Sequence, residues 1–405
     1  MGLGHARRQI AIAAALLEAA TDTHVLLATS VDEVAGLGLP PNTDTLKLPG
    51  LRKVANADYS PRRLGISKAE MRNLRSALLL EAVKGFRPDV VLVDKHPFGA
   101  GGELELALRA AKSDGARLVL GLRDILDDPV VVKEEWEREQ VQQRLCEFFD
   151  LVLIYGVREV FDTIRAYELS EAISARARYC GYVVNRANGA WRGEDDVHSD
   201  CLKASEGLSV LCTVGGGEDG FGLLKTFAEV CVEASWKGSV IAGPMLPQQQ
   251  LHSLRQIAAK SSASVQPFIP CVSDLFGSAN AIVSMGGYNT LLEALCEGVP
   301  TVCVPRVAPR SEQLMRALTF SKLGLLRVIA PHQLTPEALR NEILAALDTD
   351  RAELLRRAHK VLDFSGAEAA AQNILALAHQ RLHSNGYRDQ AGAYASAERN
   401  PVARS

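Results

Sequence analysis

The chain has 405 residues, of which 47% are hydrophobic and 23% are charged, proportions typical of a packed globular protein. A formal net charge of −3 gives no bulk attraction to nucleic acid, and no apolar run reaches the about 18 residues that a membrane-spanning helix needs. The length exceeds that of one ordinary domain and predicts two.

Helical and strand patterns alternate through the first half of the chain. The alternation predicts an α/β fold with a parallel sheet, because helices of 10 to 15 residues separate successive strands. The predicted helices are 5–19, 67–85, 102–112 and 130–147. The predicted strands are 23–29, 45–48, 89–94, 116–124, 150–156 and 177–184.

The first residues form a glycine-rich string, GLGH, at 2–5. A doubly wound domain normally opens with a strand whose carboxyl end delivers such a loop, so the sheet is expected to lack its first strand. We expect about 10 to 15 further residues upstream. A dehydrogenase is not predicted, since GLGHAR lacks the third glycine of the dinucleotide motif and no acid that ends a following strand is in the right place.

The pattern restarts after a polar stretch at 185–206, which is predicted to be a linker. The strand that follows leads into Gly215, Gly216 and Gly217. The other predicted strands of this half are 239–244, 264–269, 281–284 and 301–305, and the predicted helices are 220–235, 335–347 and 351–381. Residues 384–405 contain few apolar side chains and are predicted to be a disordered tail.

The segment 281–305 predicts a βαβ unit. The strand AIVS runs into Gly286-Gly287, a helix follows, and the strand TVCVP comes next. A glycine turn at a helix N-terminus presents free backbone N–H groups and the positive end of the helix dipole, which suits an anion. Thr290 and Glu293 are three residues apart on that helix and share a face. Gly-Gly alone favours an ordinary connection in an α/β sheet.

The strings 2–8 and 265–313 together resemble inverting glycosyltransferases of the GT-B fold, family 28 type. The peptidoglycan N-acetylglucosaminyltransferases are its best-known members, and the likeness is closest to bacterial predicted glycosyltransferases of unknown substrate. It covers roughly residues 1–380 and implies two Rossmann-like domains whose parallel sheets face each other across a cleft. The implied division is 1–190 for the acceptor, 205–365 for a nucleotide sugar, and a helix at 366–383 that packs back on the first domain.

The resemblance also implies roles for named residues. Phe268 and Ile269 match the segment that reads uracil, which implies a uridine-diphosphate donor. Gly286, Gly287 and Thr290 match the diphosphate loop, Glu293 the acid that holds the ribose, and Glu312 with Gln313 the pair that contacts the sugar. The implied chemistry needs no metal or other cofactor. The negative charge of the diphosphate would then be stabilised by Gly216, Gly217, Gly286, Gly287, Asn289 and Thr290. Arg306 or Arg310 is a further candidate cation, or a surface arginine.

Inversion at the anomeric carbon needs a general base for the acceptor hydroxyl. His5, on the first turn of the first helix, is the first candidate, because an imidazole titrates near neutrality; a helix cap or a donor contact is its alternative role. Asp94 and His96 are the second candidate, since they follow a strand at the sheet edge where α/β proteins bind ligands. Arg123-Asp124 could line the acceptor side or form a surface ion pair.

Two other functions remain open from the sequence: a nucleotide-sugar 2-epimerase or hydrolase, and a noncatalytic nucleotide-sugar-binding subunit. The acceptor is unidentified and could be lipid-linked. The basic run 62–76 would suit an anionic membrane surface, or be an ordinary solvated face. The eight cysteines form no CxxC pair, which predicts reduced thiols and a cytoplasmic protein, with possible peripheral contact with the inner face of the membrane.

Overall fold

The computed structural model describes residues 2–55, 58–185, 207–217, 219–261, 263–269 and 271–380. They form an N-terminal lobe, 2–185, a C-terminal lobe, 207–365, and a last helix, 366–380. The predicted linker at 185–206 lies, apart from residue 185, outside the described residues, as does the predicted tail at 384–405. No helix within the described ranges is both long and apolar enough to cross a bilayer.

The N-terminal lobe alternates strands and helices, as its sequence pattern predicts. Its helices are α1 (Leu3–Ala19), α2 (Lys68–Phe86), α3 (Glu105–Ser113), α4 (Pro129–Arg138), α5 (Val141–Phe148), α6 (Thr163–Ala166) and α7 (Glu171–Ser174). Its strands are β1 (Val25–Thr29), β2 (Thr43–Lys47), β3 (Leu51–Ala55), β4 (Asp58–Pro61), β5 (Val90–Asp94), β6 (Arg117–Arg123), β7 (Leu151–Tyr155) and β8 (Ala177–Tyr179).

The parallel strands of the N-terminal lobe do not form one continuous sheet. β5, β6, β7 and β8 pair in that order, while β1 pairs with β2 in a separate parallel ribbon. The antiparallel hairpin β3–β4 was not predicted from the sequence.

The C-terminal lobe is built on one continuous parallel sheet of six strands in the order β11-β10-β9-β12-β13-β14. Its strands are β9 (Ser209–Thr213), β10 (Lys237–Ile241), β11 (Ser264–Gln266), β12 (Ala281–Ser284), β13 (Thr301–Cys303) and β14 (Arg327–Val328). Its helices are α8 (Phe221–Val230), α9 (Gln248–Ala258), α10 (Tyr288–Cys296), α11 (Glu312–Lys322), α12 (Pro336–Leu347) and α13 (Arg351–Val361), and α14 spans 366–380.

Three predicted elements are interrupted in the structure. The helix predicted at 130–147 divides into α4 and α5 at Gln140, whose φ is 49°. The strand predicted at 177–184 ends early, since Gly181 takes a left-handed φ of 82°. The helix predicted at 351–381 breaks at 362–365, where the Asp363 carboxylate accepts hydrogen bonds from the Ser365 backbone and hydroxyl groups.

The break at 362–365 carries the chain back to the N-terminal lobe. The Tyr182 N–H donates to the Asp363 carbonyl oxygen at 2.6 Å, and the Gly366 N–H donates to the Tyr182 carbonyl oxygen at 3.2 Å. A single apolar cluster then joins the two lobes and the last helix; its members include Ile12, Leu153, Tyr182, Leu291, Phe320 and Ala370. The lobes therefore share a core as well as a cleft.

Candidate active site

His5 lies at the carboxyl edge of the N-terminal sheet, within hydrogen-bonding distance of Asp94. α1 places His5 on its first turn, and Asp94 is the last residue of β5. His5 Nδ1 is 2.7 Å from Asp94 Oδ2. Arg8, one turn further along α1, donates from Nη2 to the two Asp94 oxygens at 2.7 and 3.1 Å. The structure thus brings together two residues that the sequence predicted separately and adds an arginine that it did not.

The charges in this cluster leave His5 able to accept a proton. Burial opposes ionisation of Asp94, but Arg8 and His5 outweigh it and hold the pKa of Asp94 below its usual value. For His5, burial lowers the pKa and Asp94 only partly compensates, so the pKa lies below 6.5. A neutral imidazole that donates from Nδ1 to Asp94 presents Nε2 as an acceptor. The His5 side chain is 38% exposed, so part of the imidazole is accessible to a substrate.

His96 lies in the turn after β5 but does not join the His5–Asp94 pair. Its Nε2 is 3.5 Å from the Tyr59 hydroxyl oxygen, and the two rings meet edge to face. Burial and then the nearby Lys95 charge lower the pKa of His96 to about 3. His96 is therefore neutral at physiological pH and suits hydrogen bonding to an acceptor more than proton uptake.

Two glycine loops lie at the same edge of the C-terminal sheet. β12 ends at Ser284 and leads through Gly286-Gly287 into α10, whose first residue is Tyr288. The loop with Gly216 and Gly217 follows β9, the neighbour of β12. Since parallel strands present their carboxyl ends and following helix N-termini at one edge, the two loops can bind one anionic ligand between them.

Gly286 is the position where the loop needs a glycine. Its φ is 81°, and a Cβ there would lie 3.0 Å from Cys303 Sγ and 3.4 Å from the Gln313 carbonyl oxygen. We expect Gly286→Ala to lower the free energy of unfolding by about 1–3 kcal/mol, measured by urea denaturation. Gly287→Ala is the matched control, because its Cβ would meet nothing closer than Thr290 Oγ1 at 4.0 Å. Equal stability of the two variants would contradict the expectation.

The first turn of α10 in one lobe touches the first turn of α1 in the other. Asn289 Nδ2 donates to the Gly4 carbonyl oxygen at 3.0 Å. One turn along α10, Glu293 is ion-paired with Arg7 of α1, with Arg7 Nη2 2.9 Å from Glu293 Oε1. Arg7 also donates to the Ser273 hydroxyl oxygen at 3.0 Å. The N-termini of α1 and α10 therefore meet across the interlobe cleft.

Glu293 is buried, with 3% of its surface exposed. Burial raises its pKa to about 7, although Arg7 acts in the opposite direction. Despite the close Arg7 charge, neither carboxylate oxygen accepts a well-oriented hydrogen bond from the described residues. A buried carboxylate with spare acceptor capacity is suited to a ligand that carries hydroxyl groups.

Glu312 and Gln313 begin α11 and face the N-terminal lobe and the loop after β13. Glu312 is buried against Arg123 in an ion pair; burial opposes its ionisation, but Arg123 outweighs this and keeps the pKa of Glu312 low. Gln313 Oε1 accepts from the Arg306 N–H at 3.4 Å. The predicted sugar-contacting acid is thus already paired with a cation from the other lobe.

The remaining sequence candidates have structural partners. The Arg306 guanidinium is 2.9 Å from Asp219, and Arg310 bridges the lobes through Asp127 at 3.1 Å and Glu135 at 3.2 Å. Asp124 is fully buried, and its carboxylate accepts from the Tyr182 hydroxyl at 2.8 Å. Asp124 therefore belongs to the interlobe core and does not line an acceptor surface.

Phe268 and Ile269, the predicted uracil-reading pair, follow β11. Ile269 is buried in a cluster with Leu275 and Phe276, whereas Phe268 is half-buried. The Ile269 side chain is therefore packed in the core of the C-terminal lobe, and the Phe268 side chain is partly accessible. Thr290 is half-buried on the first turn of α10 beside Gly287.

Sequence reasoning missed the arginines that organise this region. Arg316, fully buried on α11, lies 5.3 Å from the Tyr288 ring centre and donates to the Gly286 carbonyl oxygen at 3.4 Å. Arg8, 3% exposed, stacks on the same ring from the other lobe at 5.2 Å. The adjacent Arg7 and Arg8 in an otherwise apolar helix were the available signal. Among the described residues, no group of three or more His, Cys, Asp or Glu side chains could hold a metal ion.

Comparison with known proteins gives a family match for the C-terminal half of the chain. Residues 213–374, which contain both glycine loops and Glu293, match the family model of the glycosyltransferase family 28 C-terminal domain. This confirms the resemblance inferred from the loop residues.

Among similar proteins is the UDP-N-acetylglucosamine–N-acetylmuramyl-(pentapeptide) pyrophosphoryl-undecaprenol N-acetylglucosamine transferase of Mycobacterium tuberculosis. It is 24% identical over 163 residues, which span 40% of this chain and 40% of the relative. A UDP-glucose:anthocyanidin 3-O-glucosyltransferase solved with UDP superposes with a TM-score of 0.62 at 14% identity, covering 93% of this chain and 96% of that one. A putative UDP-N-acetylglucosamine 2-epimerase from Listeria monocytogenes superposes with a TM-score of 0.59 at 14% identity, covering 91% of each chain. These likenesses confirm the predicted GT-B fold.

Proposed function

We propose that the protein is an inverting glycosyltransferase that moves a sugar from a nucleotide-diphosphate donor, a UDP-sugar, to an acceptor hydroxyl without a metal. The contact between the first turns of α1 and α10 carries the proposal, because it sets the His5–Asp94 pair beside the diphosphate loop. A base on one lobe and an anion site on the other are the two parts that glycosyl transfer requires.

The C-terminal lobe would bind the donor. The diphosphate would lie on backbone N–H groups of the Gly216-Gly217 and Gly286-Gly287 loops and at the α10 N-terminus, where Asn289 and Thr290 add polar side chains. The ribose hydroxyls would donate to Glu293, whose oxygens have spare acceptor capacity. The UDP complex of the anthocyanidin glucosyltransferase supports uridine as the base, and Phe268 with the Ile269 backbone would meet it.

The reaction would proceed by one displacement. The acceptor O–H proton passes to His5 Nε2 as the acceptor oxygen bonds to the anomeric carbon. The bond between that carbon and the β-phosphate oxygen breaks, and the nucleoside diphosphate leaves with its negative charge held by the two loops. Asp94 would position His5 and stabilise the imidazolium that forms, while His96 would hydrogen-bond the acceptor. Glu312 and Gln313 would face the donor sugar.

Donor binding requires the lobes to part locally. In the structure Arg7 occupies the side of Glu293 that the ribose would take, and Asn289 is engaged by Gly4. The nucleotide must therefore displace Arg7, and its diphosphate offers the released guanidinium a new anionic partner. This exchange would couple donor binding to closure of the cleft.

The acceptor would bind the N-terminal lobe, within the proposed domain 1–190, and could be lipid-linked. The relative from Mycobacterium tuberculosis carries an undecaprenol-linked acceptor in its name. Arg62, Arg63, Lys68 and Arg72 are exposed on the loop before α2 and on its first turns, beside the exposed Leu64. Basic and apolar side chains exposed together suit peripheral contact with an anionic cytoplasmic membrane surface.

The donor assignment is testable with a panel of UDP-, dTDP- and GDP-sugars. We expect one UDP-sugar to raise the melting temperature in proportion to the logarithm of its concentration, and acceptor addition to release UDP. The matching GDP-sugar is the control for the base. Release of UDP without any acceptor would replace the transferase by a hydrolase or epimerase, and no stabilisation by any nucleotide sugar would contradict donor binding.

A further inference from the structure

Arg8 connects the His5–Asp94 pair to the start of α10 in the other lobe. Its Nη2 lies 2.7 Å from Asp94 Oδ2 and 3.0 Å from His5 Nδ1. The same guanidinium lies over two aromatic rings, 5.2 Å from the ring centre of Tyr288 and 5.4 Å from that of Tyr155 at the end of β7. Because Arg8 is buried, water screens its charge little, and its contacts are stronger than those of a surface arginine.

Tyr288 ties the start of α10 to the N-terminal lobe. It is the first residue of that helix and directly follows Gly286-Gly287. Its hydroxyl donates to the Tyr155 carbonyl oxygen at 3.2 Å and accepts from the Val183 backbone N–H at 3.2 Å. Both partners belong to the N-terminal lobe, so the ring over which Arg8 lies keeps this position only while the two lobes are together.

The Arg8 charge acts on both members of the His5–Asp94 pair. Burial opposes ionisation of Asp94, and Arg8 is the largest charge that offsets this effect on its pKa. Burial also lowers the pKa of His5, against the opposing effect of Asp94. The charges of Arg8 and Lys95 lower it further, and His96 is the other titratable group that faces the imidazole. Arg8 therefore holds the carboxylate ionised while it disfavours early protonation of the base.

We propose that Arg8 is a positioning residue of the transfer reaction, which orients Asp94 toward His5 and does so only while Tyr288 is held against the N-terminal lobe. This inference rests on the proposed function, because it concerns the same proton transfer. A guanidinium suits the role, since its edge can donate to a carboxylate while its face stacks on an aromatic ring. The base is thus aligned when the diphosphate loop is in place, and separation of the lobes releases it.

The contact of Arg8 with the pair can be tested without donor or acceptor, by NMR titration of isotope-labelled imidazole. The His5 resonance is assigned by its loss in His5→Gln. In Arg8→Gln the His5 titration is expected to move to higher pH, because a repelling cation is lost and Asp94 remains. Arg8→Lys keeps a cation and is expected to titrate close to the wild type. An unchanged His5 titration in Arg8→Gln would overturn the proposal.

Arg176→Gln is the matched control for the titration. It removes an arginine of the same lobe that donates to two backbone carbonyl oxygens outside this cluster. The His5 titration of Arg176→Gln is expected to match the wild type, whatever the change in the free energy of unfolding. A shift equal to that of Arg8→Gln would show that the titration reports general loosening of the lobe, and would overturn the proposal.

A double-mutant cycle tests the link to Tyr288, with kcat measured as UDP release at saturating substrates and at a pH above the His5 titration of every variant. Arg8→Gln is expected to lower kcat about 10- to 100-fold, and Arg8→Lys less. Tyr288→Leu should act through the same misalignment, so it is expected to lower kcat at most about threefold further in Arg8→Gln. If Tyr288→Leu does not fold, Tyr288→Phe replaces it, because it loses only the hydroxyl contacts to the N-terminal lobe.

The outcomes separate failure of this inference from failure of the proposed function. Independent, multiplying effects of the two substitutions would overturn the link between Arg8 and Tyr288. Wild-type kcat in Arg8→Gln would overturn the positioning role while leaving the transferase intact. A wild-type protein that releases no UDP with any acceptor would contradict the transferase itself, even where the His5 titration shifts as expected.

Discussion

His5→Gln is expected to lower kcat about 10²–10⁴-fold while leaving the affinity for the nucleotide sugar unchanged. The imidazole takes the acceptor proton in the proposed step, and its Nδ1 lies within hydrogen-bonding distance of Asp94 and Arg8 in the N-terminal lobe. Glutamine keeps a polar group near Asp94 but cannot accept and hold a proton at neutral pH. Donor affinity from calorimetry and turnover from UDP release separate the two effects.

The pH profile distinguishes a base from a structural histidine. The base must be neutral, and the pKa of His5 lies below 6.5, so wild-type kcat at saturating nucleotide sugar is expected to persist below pH 6.5 and to fall at more acidic pH as His5 is protonated. His5→Gln should lack this fall. His252→Gln, an exposed histidine on α9, is the control and should match the wild type. Full activity of His5→Gln would show that another residue is the general base.

Glu293→Gln is expected to weaken nucleotide-sugar binding by about 10- to 150-fold, the loss of hydrogen bonds to a charged acceptor. Glutamine preserves the volume of a buried side chain and one oxygen toward Arg7, so the fold is retained better than in Glu293→Ala, which would leave Arg7 buried beside a cavity. Equilibrium binding of UDP and of the UDP-sugar gives the affinity, and urea denaturation verifies stability.

Glu293→Gln should also abolish the pH dependence of donor affinity. Because the pKa of Glu293 is raised to about 7, the ionised acceptor is lost as pH falls through 7, and wild-type donor affinity should weaken in parallel. Binding to Glu293→Gln should be flat through that range. Glu337→Gln, at an exposed position on α12, is the control. Equal donor affinities of Glu293→Gln and the wild type would contradict a role of Glu293 in ribose binding.

The fold was largely predictable because its signals are local. Strands such as Val90–Asp94 and glycine turns such as Gly286-Gly287 can be predicted from a few consecutive residues. The helices α9 and α11 were missed: α11 follows the loop with Arg306 and Arg310, which the sequence presents as a ligand-binding loop, and α9 follows Pro247, which has no capping side chain.

The site was predictable only in part, since its pairings are distant in sequence. The family motif located Glu293 and Glu312, but nothing in the neighbourhood of either residue indicates Arg7 or Arg123 as its partner. These pairs depend on how the lobes face each other. Likewise, the sequence placed His5 and Asp94 at sheet-edge positions of one lobe, and only the packing of α1 beside β5 brings their side chains within 2.7 Å.

The apolar cluster that runs from Ile12 through Tyr288 to Ala370 constrains any attempt to recombine this enzyme with a relative. A hybrid cut at the polar connection near residue 206 would leave half of that cluster facing a surface with which it did not evolve. To exchange acceptor preference by swapping modules, one would have to transplant the inner face of α1 and the returning helix along with the N-terminal half.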